Sequence, residues 1–159
     1  MRKTTGEKIK HHKRRGEWAE MRFMAVAAEH ELQVTKPWGE MARYDFAVEY
    51  EGQFWRVQVK STMSLDRGSY TVTVRDSRGG PYAGDPFDFV AAYVIPEDIW
   101  YIIPAEKIRG QGHVRLYPRL KKSKHGEFRE AWHLLREGRV GDIRACAEEL
   151  SFQFSGSNL

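Results

Sequence analysis

The chain has 159 residues, of which 41% are hydrophobic, 13% aromatic and 30% charged. This length suits one compact domain and is too short for two full ones, and the composition disfavours a disordered, collagen-like or coiled-coil chain. The longest apolar run, 89–95, is far shorter than the ~20 residues of a membrane helix, and no apolar stretch follows the basic N-terminus as a secretory signal requires. The single cysteine, Cys146, cannot form an internal disulfide. We therefore expect a soluble, cytoplasmic protein.

The formal net charge of +4 is unevenly distributed along the sequence. Residues 1–16 carry seven basic side chains against one acidic side chain, and residues 107–124 carry seven basic side chains and no acidic one. Basic segments bind polyphosphates because they release condensed counterions. A solvated surface explains either segment alone, but two of them around an acidic centre favour a nucleic-acid partner. The candidate nucleic-acid contacts are Lys13, Arg14, Arg15, Lys36, Trp38, Arg43, Lys121, Lys122 and Lys124.

Propensity and hydrophobic pattern predict the elements in chain order. The expected elements are a flexible basic arm at 1–15, a helix at 16–31, strands at 32–35, 43–50, 53–61, 70–74, 88–95 and 99–103, a basic loop, helices at 128–136 and 139–150, and a frayed tail at 151–159. The strand at 88–95 is apolar almost throughout, as in a strand that is covered on both faces. This order predicts an α/β fold with a central mixed sheet flanked by helices, in a single domain of residues 16–150.

The hydrophobic pattern of the hairpin around the turn 51–52 predicts its register. An apolar face results when the cross-strand pairs are Val48–Trp55, Phe46–Val57 and Tyr44–Val59. The opposite face then places Asp45 across from Gln58, with Cβ atoms about 5 Å apart. Lys60 lies two residues further along that face, opposite Arg43. One sheet face thus gathers a carboxylate, an amide oxygen and an ammonium, although a polar outer face would account for each of them separately.

Glu20 is predicted to point to the inner side of the first helix. It lies about 160° from the polar side that Arg15, Arg22 and Glu29 define, at about 100° per residue. A carboxylate on an inward face costs free energy unless a cation or a donor meets it, so Glu20 is a candidate site residue. Two alternatives stay open: Glu17, about 60° away, serves the site instead, or Glu20 is a helix-end residue with access to water.

At Glu20, Tyr44-Asp45-Phe46 and Gln58-Val59-Lys60 the sequence resembles the PD-(D/E)XK nuclease superfamily. The signature of that superfamily is a helical Glu, then an Asp at one strand, then (D/E/Q)-x-K on the next strand of a hairpin. The similarity is greatest to the branch that includes group I intron-encoded homing endonucleases and Holliday-junction-resolvase-like enzymes. It extends over residues 16–104 and is carried by the segments 16–20, 36–39, 43–46, 54–61 and 88–104. The resemblance implies a restriction-endonuclease-like fold.

Two positions depart from the pattern of the superfamily. Tyr44 stands where the superfamily has a Pro before the Asp, at a position that does no chemistry. Gln58 replaces the carboxylate of the third motif, and an amide oxygen can ligate a hard cation but brings no charge. Glutamine occurs here in the branch that the chain resembles, including active members. The resemblance therefore implies a variant active site in which Asp45 and Glu20 are the anions.

The resemblance further implies a divalent cofactor, Mg²⁺ or Mn²⁺. Asp45, Gln58 and the Val59 carbonyl would hold the ion, with Glu20 bound to it through water or to a second ion. The ion would polarise the scissile phosphate and acidify a water. Lys60 would orient that water and stabilise the added negative charge. The implied catalytic residues are therefore Glu20, Asp45, Gln58 and Lys60, and the implied products carry 5′-phosphate and 3′-hydroxyl ends.

These inferences together predict a Mg²⁺-dependent DNA endonuclease, with an intron-associated homing endonuclease as the first interpretation. The alternatives are a Holliday-junction-type resolvase, an RNA nuclease with the same active site, and a catalytically inactive nucleic-acid-binding module of the same fold. The expected partner is DNA and not a membrane. Because two strands require two sites, we also expect a symmetric homo-oligomer, either a dimer or a tetramer.

Overall fold

The structure is a computed structural model that describes residues 5–76 and 78–137. Its helices are α1 (His12–Glu29) and α2 (Leu134–Glu137), and its strands are β1 (Gln33–Thr35), β2 (Phe46–Tyr50), β3 (Gln53–Thr62), β4 (Leu65–Asp66), β5 (Ser69–Thr73), β6 (Phe89–Val94), β7 (Ile99–Pro104) and β8 (His113–Leu116). Within the described ranges, neither helix has the length and apolar character needed to cross a membrane. The helix predicted at 139–150 and the tail at 151–159 lie outside the described residues.

Five strands form a central mixed sheet in the order β1-β2-β3-β6-β7. β3 and β6 are parallel, and the other neighbouring pairs are antiparallel. The parallel pair requires a long crossover connection, and the segment that contains β4 and β5 provides it. All six residues of β6 are buried, as its apolar sequence predicts for a strand covered on both faces.

Helix α1 covers one face of the central sheet. Its buried residues are Ala19, Phe23, Val26 and Ala27. The ring of Phe23 stacks on Phe46 and on Trp132, with ring centroids 5.5 and 5.6 Å apart. The helix begins at His12 and not at Gly16, because His11 caps its N-terminus by accepting a hydrogen bond from the Arg14 N–H. The second half of the predicted arm is therefore helical or capping.

The other face of the central sheet is covered by a smaller sheet, in the order β4-β5-β8, where the sequence predicted a helix. Strand β8 lies within the predicted basic loop, and its alternation of exposed with buried residues is the strand signal that the run of basic residues obscured. The predicted helix at 128–136 is also wrong, since only Leu134–Glu137 is α-helical there and Phe128 ends a short 3-10 helix, Gly126–Phe128. Glu130 interrupts the segment because its φ of 50° lies outside the right-handed helical region.

The β2–β3 hairpin has the predicted register from Phe46–Val57 to Tyr50–Gln53. Both turn residues have positive φ, 48° at Glu51 and 82° at Gly52, which is the requirement of the tight turn that matches strand twist. The ladder ends at Phe46, however, three residues after the predicted start of the strand. The predicted pairs Tyr44–Val59 and Arg43–Lys60 are therefore absent, and Tyr44 packs into the core between the two sheets.

The early end of β2 has a local cause. The N–H of Asp45 donates to the carbonyl oxygen of Val57. Val57 is already the ladder partner of Phe46, so Asp45 does not continue the ladder to the next residue of β3, and the chain leaves the sheet at this point. Strand β3 continues alone on this side to Thr62, while β6 stays paired with its other side. One side of β3 beyond Val57 is thereby left without a strand partner, and the candidate site lies there.

Candidate active site at the free end of the hairpin

Asp45 and Gln58 are in direct contact at the end of β2. The Gln58 side-chain Nε2 donates to Asp45 Oδ2 at 2.7 Å, and the backbone N–H of Val59 donates to the same oxygen at 2.7 Å. Two donors on one oxygen fix the carboxylate and leave Asp45 Oδ1 without a hydrogen bond from the described residues. The predicted proximity of Asp45 and Gln58 is thus confirmed, although the contact forms beyond the ladder.

The backbone of Val59 belongs to the same group of atoms. In a strand the N–H and the C=O of one residue point to the same side. Since the Val59 N–H donates to Asp45, its carbonyl also points to the side that β2 has left. Gln58 is 9% exposed, and because its Nε2 donates to a carboxylate, which only accepts, its Oε1 is the free atom. Asp45 Oδ1, Gln58 Oε1 and the Val59 carbonyl are therefore the oxygen atoms that this end of the hairpin offers.

Burial raises the pKa of the Asp45 carboxyl above its usual value, and this is the largest influence on it. The hydrogen bond from Val59 lowers that pKa, the negative charge of Glu20 raises it, and the charge of Lys60 and the hydrogen bond from Gln58 lower it. Glu20 and Lys60 therefore both lie within electrostatic reach of Asp45. The four side chains that the sequence identified form one electrostatic group.

The position of Glu20 differs from the expectation in one respect. Lys36, which follows β1, places its Nζ 2.9 Å from Glu20 Oε2. The hydrogen bond to Glu20 raises the pKa of Lys36 despite partial burial, and the charges of Glu20, Asp45 and Glu17 act in the same direction. The Glu20 side chain is 26% exposed and thus only partly open to solvent. Lys36, which the sequence predicted as a nucleic-acid contact, therefore forms an ion pair with a carboxylate of the candidate site.

Lys60 projects from β3 on the face toward the smaller sheet, since it pairs with Ala92 of the core between the sheets. Its Nζ lies 5.8 Å from the ring centroid of Tyr82, within the range of a cation–π contact. Tyr82 in turn packs edge-on against the buried Phe87, with centroids 4.8 Å apart. No carboxylate of the described residues forms an ion pair with Lys60. The sequence contains no pattern that would have revealed the contact with Tyr82.

Two arginines hold the segment that carries Tyr82: Arg43 of the connection from β1 to β2 and Arg56 of β3. Arg43 donates to the Ala83 carbonyl at 3.1 Å, and Arg56 donates to the Asp85 carbonyl at 2.7 Å. The Arg56 guanidinium also forms a two-bond ion pair with Asp88, at 3.0 and 3.1 Å. Such a bidentate ion pair fixes the orientation of the two side chains as well as the distance between them. These bonds position Tyr82 over Lys60.

The predicted nucleic-acid contacts lie in three separate places. Lys13, Arg14 and Arg15 are in the first turn of α1, where the Arg15 guanidinium donates to the Ile9 carbonyl and contacts His12. Lys36, Trp38 and Arg43 lie in the connection from β1 to β2, beside the site, and Trp38 is fully exposed. Lys121, Lys122 and Lys124 are exposed in the segment after β8. Their contact with nucleic acid remains a prediction.

The donor atoms of this group fit a hard divalent ion. Within residues 5–76 and 78–137, no three His, Cys, Asp or Glu side chains form a cluster that could hold a metal. The site instead offers the carboxylate of Asp45, the amide oxygen of Gln58 and the carbonyl of Val59, while the carboxylate of Glu20 is paired with Lys36. Magnesium accepts such mixed oxygen ligands and keeps several waters, so it needs no all-carboxylate cluster.

Comparison with known proteins shows the family to which the chain belongs. The model of the PD-(D/E)XK endonuclease family matches residues 10–135. Among solved structures, the chain is similar to the bacterial homing endonuclease I-Ssp6803I, with 29% identity and a TM-score of 0.71 over 86% of this chain and 99% of that chain. No curated protein matches the chain. The chain therefore belongs to the PD-(D/E)XK endonuclease family, and the fold class predicted from its sequence is confirmed.

Proposed function

We propose that this PD-(D/E)XK endonuclease hydrolyses phosphodiester bonds of DNA with a divalent ion, Mg²⁺ or Mn²⁺, bound at Asp45. The observation that carries the proposal is the convergence of Asp45, Gln58 and Lys60 at the free side of β3, with Asp45 Oδ1 and Gln58 Oε1 unoccupied by described donors. The similarity to a homing endonuclease supports DNA as the substrate.

Each residue of the site has a distinct task in the proposed reaction. Asp45, Gln58 and the Val59 carbonyl would hold the ion, which when bound polarises the scissile phosphate and makes a water more acidic. The two hydrogen bonds on Asp45 Oδ2 orient the carboxylate before any ligand arrives, so little reorganisation is needed. Lys60 orients the attacking water and stabilises the extra negative charge of the transition state.

Gln58 has a role that a carboxylate at its position could not fill. Its Nε2 donates to Asp45 while its Oε1 stays free, whereas a Glu side chain offers only acceptors and would repel Asp45. In the metal-free protein, glutamine thus stabilises the Asp45 carboxylate. The consequence is one negative charge fewer for the ion, which lowers its affinity.

The proposal extends to the wider molecule. The basic residues at 1–16 and 107–124 support contact with the DNA backbone, a contribution that depends on salt and not on base sequence. An intron-associated homing enzyme is the form that the similarity to I-Ssp6803I favours. A symmetric homo-oligomer would bring two such sites to the two strands.

A metal titration of cleavage with Gln58 variants tests the proposal. Gln58→Ala should need a higher Mg²⁺ concentration for half-maximal cleavage, because one ligand is lost, while binding of duplex DNA without metal stays unchanged. Gln58→Glu should need a lower concentration, because it adds a charge. If Gln58→Ala instead changes the salt dependence of DNA binding and leaves the metal titration unchanged, Gln58 is a DNA contact and the metal assignment is wrong.

A further inference from the structure

Lys36 lies among the carboxylates of the candidate site. Its Nζ forms an ion pair with Glu20 Oε2 at 2.9 Å and also lies within electrostatic reach of Asp45 and Glu17. The ammonium lies 5.5 Å from the ring centroid of Phe46, the first residue of β2, so the aromatic ring supports it beside Asp45. Three carboxylates and a ring thus define its place.

The ammonium of Lys36 is nevertheless open to a substrate. The Lys36 side chain is 63% exposed, and of the three N–H donors of a lysine only one is directed to Glu20. A lysine is a compact point charge that binds phosphate well. The two remaining donors can therefore face a phosphate that lies at Asp45.

Lys36 and Lys60 approach Asp45 from opposite faces of the central sheet. Lys36 contacts Glu20 of α1 and Phe46, which belongs to the core between α1 and the sheet. Lys60 projects toward the smaller sheet. An in-line displacement places its attacking and its leaving oxygen on opposite sides of the phosphorus, and a cation near each oxygen stabilises it. Two cations on opposite sides of the phosphate match that arrangement.

The charges of the site argue against a second metal ion. Gln58 contributes no charge, and the carboxylate of Glu20, which a second divalent ion would need, is already paired with Lys36. We infer, on the basis of the proposed function, that Lys36 is a catalytic residue that stabilises the leaving oxygen in place of a second metal. Glu20 is then the positioning residue that holds Lys36, and the site works with one metal ion.

Counting bound metal tests this inference without any cleavage measurement. In a Mn²⁺ titration of the full chain followed by electron paramagnetic resonance, we expect one ion per chain. Asp45→Asn should remove that ion, and Glu20→Gln should retain it, because Glu20 binds Lys36 and not the metal. Two ions per chain, or the loss of an ion in Glu20→Gln, would overturn the inference.

Single-turnover cleavage at saturating DNA and metal tests the catalytic role. Lys36→Met should lower the rate by about 10²-fold, the usual cost of removing one charge-stabilising group, and Lys36→Arg should recover most of the loss. The matched control is Arg22→Met, which removes the cation of another exposed ion pair of α1, Arg22–Asp98 at 3.4 Å. Arg22→Met should cleave within about twofold of the wild-type rate. A wild-type rate in Lys36→Met would contradict the role.

Two further measurements separate failure of this inference from other causes. Exposed ion pairs contribute little to stability, so Lys36→Met should unfold at the wild-type temperature. If Lys36→Met does not fold, Lys36→Arg still provides the cleavage rate and Glu20→Gln still provides the metal count. If Lys60→Ala and Asp45→Asn lose cleavage while Lys36→Met keeps it, only the inference about Lys36 fails. If all three keep cleavage, the proposed function of the site fails.

Discussion

The carboxylate of Asp45 combines partial burial, a nearby like charge from Glu20 and two hydrogen bonds on a single oxygen. Burial and Glu20 raise its pKa, which means that the folded state holds the charged form less well than the unfolded chain does. At neutral pH the ionised carboxylate therefore costs stability. Such a cost is expected where a residue is retained for its chemistry.

We predict that Asp45→Asn stabilises the metal-free protein while it removes cleavage. The asparagine Oδ1 can accept both hydrogen bonds that now end on Oδ2, so the substitution removes the buried charge and keeps the contacts. In calorimetry with EDTA the melting temperature should rise, by roughly 2–4 °C for each kcal/mol gained.

The matched control for this prediction is Asp66→Asn. Asp66 is an exposed carboxylate of β4, away from the hairpin end, so its replacement should leave the melting temperature unchanged within about 1 °C. An Asp45→Asn variant that melts at or below the wild-type temperature would show that the Asp45 charge does not destabilise the fold.

The sequence allowed some of these residue contacts to be predicted and not others. Asp45 and Gln58 follow from hairpin register, because strand alternation places both near the end of one face. The Lys36–Glu20 ion pair could not be predicted in this way, because it depends on how α1 lies across β1, which the periodicity of the sequence does not reveal. Sequence therefore assigned Lys36 to nucleic acid, while the structure places it on a carboxylate.

At the scale of elements, the early end of β2 creates the site. Had β2 continued to Arg43 as predicted, a strand would cover the side of β3 where Val59 meets Asp45. The connection from β5 to β6 then supplies Tyr82, and Arg43, which precedes β2, and Arg56 of β3 hold that connection in place. These two arginines are thus structural contacts of the site as well as basic residues.

We predict that the ring of Tyr82 supports the catalytic action of Lys60. Tyr82→Leu should lower kcat with little change in KM, by the factor that corresponds to about 0.5–2 kcal/mol of cation–π energy, and Tyr82→Phe should retain the wild-type value because it keeps the ring. Steady-state kinetics of the two variants provide the measurement.

NMR provides a test of the Tyr82 ring that does not depend on cleavage kinetics. The aromatic ring should shift the NMR resonances of the Lys60 Cε protons upfield in the wild type and in Tyr82→Phe, and not in Tyr82→Leu. Equal losses of kcat in Tyr82→Phe and Tyr82→Leu would assign the effect to the hydroxyl and refute the role of the ring.

Elements with a strong local signal were predicted well, and elements that depend on tertiary packing were not. The β2–β3 turn and the apolar strand β6 are encoded locally, by a Gly at positive φ and by six consecutive buried residues. Of the smaller sheet only β5 was predicted, as the strand at 70–74, because β4 has two residues and β8 lies in a basic stretch. These short strands form because the second face of the central sheet has to be covered.

At the scale of the whole molecule, an apolar layer covers each face of the central sheet, and the polar side chains of the candidate site lie where β2 ends. The core between α1 and the sheet and the core between the two sheets meet at β3, the strand that carries Gln58 and Lys60. Gln58 and Lys60 thus stand on a strand held from both faces, which keeps their geometry fixed. Lys121, Lys122 and Lys124 are exposed outside these layers, where an extended polyphosphate can reach them.

Cleavage of supercoiled plasmid DNA by the full chain and by Lys60→Ala tests the central claim most directly. The account predicts Mg²⁺-dependent conversion to nicked and linear DNA, no conversion in EDTA, and a rate at least about 10²-fold lower for Lys60→Ala, because Lys60 acts on transition-state charge. The affinity of Lys60→Ala for DNA, measured in parallel without metal, should stay nearly that of the wild type. Cleavage by Lys60→Ala at the wild-type rate, or cleavage that persists in EDTA, would contradict the account.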